Sequence, residues 1–341
     1  MIRIADIELS NRVALAPMSG VTDLPFRRAV ARLNKAIAGD GLVVSEMVAS
    51  EALVKARPDV VRRAAGHADI SPFVIQIAGA EARWMGEGAR LAEAAGADVI
   101  DINMGCPSRQ VTGMASGSAL MRDLDHAMTL IEAVLAATSK PVTLKMRLGW
   151  DWSSINAPEL AARAETAGVT LVTVHGRTRN DFYDGEANWA AVRAVRDAIS
   201  LPLIVNGDIN DVETARAALS QSGADAVMVG RAAIGRPWLP TAIASALQDG
   251  GEIAEPSLPE QSAIALRHYE ETIDHYGAPL GVRMARKHLA AYVDQAPVEI
   301  APAARRAFRA ELCRLSSPAG VVSALTAFFE GRPEIETSCA A

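Results

Sequence analysis

Two short stretches decide how the chain reads: Val142-Thr143-Leu144-Lys145-Met146-Arg147-Leu148-Gly149 and Leu171-Val172-Thr173-Val174-His175-Gly176-Arg177. Each is a mostly apolar run, as a strand buried on both faces is, with polar residues gathering toward its C-terminal end. Between them, residues 158–167 are alanine-rich at helical spacing, and Gly168 follows, where a glycine can take the left-handed conformation that ends a helix. The stretch is one strand–helix–strand unit.

Outward from it, the same unit recurs. Further strands are expected at residues 13–17, 42–47, 73–79, 99–106, 203–209 and 226–232, with helices at 81–95, 124–137 and 212–220. Gly96-Ala97-Asp98 and Gly223-Ala224-Asp225 repeat the helix-ending phrase. Eight such units in about 240 residues predict an α/β fold of the closed (β/α)8 TIM-barrel type. An open doubly wound sheet fits less well, because no strand is followed by a Gly-x-Gly-x-x-Gly turn. The barrel is expected over residues 1–248. The Gly- and Pro-bearing segment 249–260 reads as a linker, and residues 261–331 as an appended C-terminal helical domain with four amphipathic stretches, 261–276, 282–293, 302–315 and 318–329. Residues 332–341 are left as a tail.

Composition narrows the class without naming a function. Of 341 residues, 50% are hydrophobic and 22% charged, the balance of a chain that buries a core. The net charge of −6 excludes a whole-molecule basic field, so nucleic acid would need a local patch. Cys106, Cys313 and Cys339 form no Cys-x-x-Cys pair, and neither a disulfide framework nor a metal site is expected. No run is apolar enough for a membrane span, and Arg3, Asp6 and Glu8 stand where a signal peptide would be apolar. A soluble, cytoplasmic monomer without a stable protein partner is expected.

A parallel barrel builds its active site from the C-terminal ends of its strands, and those ends are polar here. They carry Pro17-Met18-Ser19-Gly20, Ser45-Glu46, Gln76, Asn103-Met104-Gly105-Cys106-Pro107, Lys145 and Arg147, His175-Gly176-Arg177, Asn206-Gly207-Asp208, and Gly230-Arg231. The last two loops follow strands seven and eight, where barrels commonly bind phosphate through backbone N–H groups. Arg231 could add a charge-assisted contact, whereas Asp208 would have to contribute through its backbone. Lys145 lies inside an apolar strand and needs an electron-rich partner; a Schiff-base lysine and a contact to the N1/O2 edge of a flavin are both open. Gln76, with one amide donor and one acceptor, suits the edge of the same ring. Cys106 stands where a strand breaks into a loop, a place for a proton-donating thiol as well as for a small buried residue.

Taken in order, Ala16-Pro17-Met18-Ser19-Gly20-Val21-Thr22-Asp23-Leu24-Pro25-Phe26-Arg27, Asn103-Met104-Gly105-Cys106-Pro107, Gly117-Ser118-Ala119-Leu120-Met121, Lys145-Met146-Arg147-Leu148-Gly149, Val174-His175-Gly176-Arg177-Thr178-Arg179 and Val229-Gly230-Arg231 resemble the tRNA-dihydrouridine synthases, most closely the bacterial B-type branch. The resemblance implies an FMN-dependent oxidoreductase that reduces the C5=C6 bond of a D-loop uridine in tRNA, with NADPH as transient reductant. It places FMN contacts at Pro17, Met18, Ser19, Gln76, Lys145, His175, Asn206, Gly207, Asp208, Gly230 and Arg231. It makes Cys106 the general acid and puts Asn103 on the uracil edge. Arg177, Arg283, Arg286 and Lys287 are expected to meet the tRNA, the last three within a tail segment that is locally basic. The chain departs from the B-type pattern at Ser108-Arg109-Gln110, where the family carries an alanine and two lysines. An FMN barrel oxidising a free pyrimidine, and an RNA-binding barrel without turnover, are the competing functions.

Overall fold

A computed structural model describes residues 2–251 and 255–332. Residues 252–254 of the expected linker, and the expected tail from residue 333 onward, lie outside the described residues. The described chain divides into two units, residues 2–230 with 240–251, and residues 231–239 with 255–332.

The first unit is the expected barrel. Its strands are β1 (Val13–Leu15), β2 (Val43–Val44), β3 (Phe73–Ala78), β4 (Val99–Met104), β5 (Val142–Arg147), β6 (Leu171–His175), β7 (Leu203–Asn206) and β8 (Ala226–Val229). Each pairs in parallel with the next, and Val227 opposite Val13 closes β8 onto β1. Strands β3 to β8 are buried along their whole lengths, which is why they read as continuous apolar runs. Helices Ala82–Ala94, Leu124–Leu135, Ala157–Ala167 and Val212–Ser222 occupy the expected places, and Gly168 and Gly223 end the last two at φ +115° and +67°.

Two features depart from expectation. The second strand does not run unbroken over 42–47; it stops at Val44, and a separate short strand, Val48–Ala49, pairs again with β3. The cause is Ser45, whose Oγ accepts the Gln76 N–H at 3.0 Å in place of a backbone carbonyl. The N-terminal residues form an antiparallel hairpin, Ile2–Ile4 with Ile7–Leu9, that no periodicity announced. Its Ile2, Ile4 and Leu9 pack against Ala14, Val74, Val99, Ile204 and Ala226, inward residues near the strand starts. That end of the barrel is plugged by hydrocarbon, and the polar chemistry is confined to the other.

The second unit contains helices Leu258–Tyr276, Ala278–Gln295, Pro302–Leu312 and Pro318–Phe329. The first begins at Leu258 because Ser257 and Glu260 form a capping box, so the last residues of the expected linker are helical. Phe308 stacks on Phe328 with ring centroids 5.0 Å apart in the core of this unit. No helix among the described residues is long and apolar enough to cross a membrane.

Candidate active site

Register decides which polar side chains share a layer. Gln76, Asp101 and Thr143 are cross-strand neighbours on β3, β4 and β5, and Asn103, Lys145 and Thr173 follow two residues on, toward the strand ends. Residues two apart on a strand face the same way, so both layers point into the barrel. Arg147 pairs in register with His175, and His175 with Asn206.

Burial makes these groups electrostatically unusual. Lys145 Nζ donates to Asn206 Oδ1 at 3.0 Å, and Asn206 Nδ2 donates to the Met228 carbonyl at 2.8 Å, which fixes the asparagine amide. Burial, with the nearby Arg147 charge, lowers the Lys145 ammonium to about 8, while Asp101 and Cys106 pull the other way. Arg147 is brought down to about 10, again chiefly by burial. Asp101 is pushed up from 3.8 to about 6 by burial, against hydrogen bonds from Thr143 and Gln76 and the charge of Lys145. Because the native value lies above the unfolded one, the native state holds a proton that the unfolded chain has lost between those limits. The associated stabilisation is complete below pH ~4 and is lost as pH rises through ~6. Asp101→Asn should remove that change, worth about 3 kcal/mol from two pH units, from denaturant midpoints compared across pH 4 to 7. Parallel pH profiles for variant and wild type would refute it.

Cys106 is half-buried, just past the end of β4, and its peptide is held from both sides. Its N–H donates to Asn103 Oδ1 at 3.0 Å, and its carbonyl accepts from Ser118 Oγ at 2.8 Å and Ser118 N at 3.1 Å. The preceding carbonyl, of Gly105, accepts from Arg147 Nε at 2.9 Å. Gly117 makes this closeness possible, since a Cβ there would come within 2.8 Å of the Cys106 carbonyl oxygen. The half-exposed ring of Tyr183 covers the Arg147 guanidinium at 5.4 Å.

The phosphate-loop candidates have the backbone such a role needs. Gly207 lies at φ +113°, and a Cβ on it would meet Ala187 Cβ at 2.8 Å and the His175 ring at 3.2 Å. Asp208 follows at φ +53°, with its carboxylate turned aside onto Arg177 and the Ala187 N–H. A Cβ on Gly230 would meet nothing closer than Ala16 Cβ at 3.9 Å and Met18 Sδ at 4.0 Å, so room remains beside it. The loop bearing Pro17, Met18 and Ser19 is tied by Met18 N–H to Thr22 Oγ1 at 2.9 Å and by Gly20 N–H to the buried Glu46 carboxylate at 2.5 Å. Arg231 opens a short 3-10 turn, Arg231–Ala233, within the second unit.

Arg177 departs from its expected place. It is 2% exposed, with its fork on both Asp208 oxygens at 3.1 and 2.7 Å, and Nε and Nη2 on the Asp184 and Gly185 carbonyls. A guanidinium occupied in this way braces its loop and offers no fork to a phosphate. In the second unit Arg283 and Arg286 are exposed on one helix face and Lys287 beside them is half-buried. Two other arginines of the basic segment are engaged: Arg305 caps the helix end at the Val293, Ala296 and Val298 carbonyls, and Arg309 pairs with Asp294 at 2.7 Å. Sequence reading missed Asp101 and Thr143. Their signal was the two-residue spacing of Asp101 from Asn103 and of Thr143 from Lys145, which marks one inward face.

A parallel barrel with buried lysine, amides and a half-buried thiol at its strand ends is an enzyme scaffold. Residues 14–330 match the family model for dihydrouridine synthase. The chain is 50% identical over 334 residues to a probable tRNA-dihydrouridine synthase of Rhodobacter capsulatus, covering 97% of this chain and 98% of that one. It is 41% identical to the tRNA-dihydrouridine synthase B of Pseudomonas aeruginosa, over 100% of this chain and 99% of that one. The fold is also that of morphinone reductase in complex with tetrahydroNAD, at a TM-score of 0.50 and 17% identity over 76% of this chain and 92% of that one. The chain belongs to the dihydrouridine synthase family.

Proposed function

We propose that the chain reduces the C5=C6 bond of a uridine in tRNA, as an FMN-dependent oxidoreductase with Cys106 as its general acid. The observation that carries the reading is the strand-end layer, in which a buried cation, amide donors and a fixed cysteine occur together. These residues fit FMN. Gly207 and Asp208 present backbone at positive φ for a phosphate, with space beside Gly230, and Arg231, the next residue in the chain, would add a charged contact. Lys145 supplies a buried positive charge for the pyrimidine edge of the flavin, with Gln76 and His175 among its other contacts and Pro17, Met18 and Ser19 on the β1 loop.

When bound and reduced, FMN supplies hydride to C6 of the uracil. The chain's own part is to hold the base and deliver the proton. Asn103, whose NH2 group has a second N–H beyond the one given to Gln76, meets the uracil edge, and Cys106, held by hydrogen bonds at its N–H and its carbonyl, protonates C5 as charge develops there. The uridine must leave the tRNA fold to reach the site, as any base that undergoes chemistry must. NADPH would be the reductant for the bound cofactor, and the cytoplasm is where this substrate is met. The purified protein should carry about one FMN per chain and form dihydrouridine in unmodified tRNA with NADPH. A colourless protein that binds tRNA without turnover would overturn the reading.

The exposed Arg283 and Arg286, with Lys287, are assigned to tRNA phosphates. Replacing Arg283 and Arg286 by Gln should weaken tRNA binding and flatten its salt dependence by up to ~0.9 in log–log slope per lost contact, a duplex-based upper value. Flavin reduction by NADPH should not change. An unaltered slope would move the tRNA face elsewhere.

A further inference from the structure

Asp101 is a buried carboxylate for which the reaction described above has no use. Its surroundings form a single relay across three strands. Thr143 Oγ1 donates to its Oδ1 and Gln76 Nε2 to its Oδ2, both at 2.6 Å. Gln76 then has its oxygen to offer, and Asn103 Nδ2 donates to it at 2.7 Å. Asn103 in turn gives its own oxygen to the backbone N–H groups of Gly105, at 3.2 Å, and Cys106, at 3.0 Å.

From Cys106 to Asp101 every link runs in one direction, and Thr143 donates to the carboxylate from the other side. An ionised carboxylate only accepts and a backbone N–H only donates, so the two ends of the relay demand the same orientation of both amides between them. Reversing either amide would set oxygen against oxygen and N–H against N–H among buried side chains, at the cost of unsatisfied groups. With the acceptor at position 101 removed, the inner end is open: Gln76 loses the partner of its NH2 group, and its grip on Asn103 slackens. Asn103 is the residue that holds the Cys106 peptide.

We infer that Asp101 is a positioning residue for Cys106, acting through Gln76 and Asn103 to fix the peptide that carries the thiol. The inference rests on the assignment of Cys106 as the general acid. What is required of position 101 is an oxygen acceptor in reach of Gln76, and Asn supplies one, turning its own NH2 to the Thr143 hydroxyl. Ser is too short to reach, and its relay is broken.

Asp101→Ser and Asp101→Asn holoenzymes distinguish this from a purely structural role. Amide hydrogen exchange in the segment 103–106 should quicken about tenfold in the serine variant, in step with loss of one hydrogen-bonded anchor, and stay near wild type in the asparagine variant. Reoxidation of the reduced flavin by unmodified tRNA should slow ~10- to 10²-fold in the serine variant, the range expected from a misplaced catalytic group, with reduction by NADPH changed less than about threefold. Asparagine should restore both readouts. If the serine variant leaves exchange at 103–106 and the ratio of the two half-reactions unchanged, or if asparagine is as damaging as serine, the positioning role is wrong. Should serine not hold the fold, Asp101→Leu, which keeps the branching at Cγ but offers no acceptor, is judged by the same two measurements. Cys106→Ala is run beside them: normal reoxidation there would refute the acid itself, whereas slow reoxidation there with an unaffected Asp101→Ser would refute only the relay.

Discussion

In Cys106→Ala, reduction of the flavin by NADPH should proceed at the wild-type rate, while its reoxidation by unmodified tRNA should slow ~10²- to 10⁴-fold, the usual worth of a positioned general acid. The asymmetry follows from the division of labour at the site. In the proposed mechanism the thiol takes no part in loading electrons and is needed only when uracil C5 accepts a proton. The surroundings of Cys106 do not depend on its side chain: the contacts from Asn103 and Ser118, and that of Arg147 on Gly105, all run to backbone atoms. Alanine should therefore leave the loop in place, so that the effect reports chemistry instead of collapse. Rapid-mixing absorbance, first with NADPH and then with tRNA, separates the steps. Wild-type reoxidation would remove Cys106 from the mechanism, and loss of both steps would show damage to the whole site.

Gly207→Ala should lose FMN. At φ +113° an alanine is strained whatever its neighbours, and its Cβ would also stand 2.8 Å from Ala187 Cβ and 3.2 Å from His175 Cε1. Strain and overlap together cost about 2 to 4 kcal/mol, which the chain can relieve by moving the loop off the conformation proposed to bind phosphate. FMN affinity should fall at least ~30-fold. The barrel should persist, because β7 ends before this residue at Asn206 and the strands on either side are buried throughout. Flavin content after gel filtration, with circular dichroism on the same sample, checks both halves of the expectation. A variant that keeps its flavin with wild-type affinity would relocate the phosphate.

The basic tail shows how charge counting and structure diverge. Between Val282 and Arg314 the sequence offers a cluster of arginines, but Arg305 is committed to three carbonyls at a helix end and Arg309 to Asp294. A formal excess of charge is indifferent to such commitments. Arg283 and Arg286 stay on the exposed face and carry the proposal.

By itself the sequence determined the barrel, its strand order and the end at which the polar residues gather. Strands buried on both faces leave long apolar runs, and their polar residues gather toward the C-terminal ends, so both signals are local and periodic. It also marked Cys106, Lys145, Asn206 and Gly207 by residue type at those ends. The tertiary structure decided everything that depends on a partner distant in the chain. Arg177 reads like a nucleic-acid contact until Asp208, 31 residues on, takes both arms of its fork. Ser45 reads as strand until its hydroxyl meets Gln76. Asp101 sits inside an apolar run, and its place in a relay from Thr143 to Cys106 exists only once register sets β3, β4 and β5 side by side. A period of two residues tells which face a side chain takes, but the atom it bonds is chosen by the neighbouring strand.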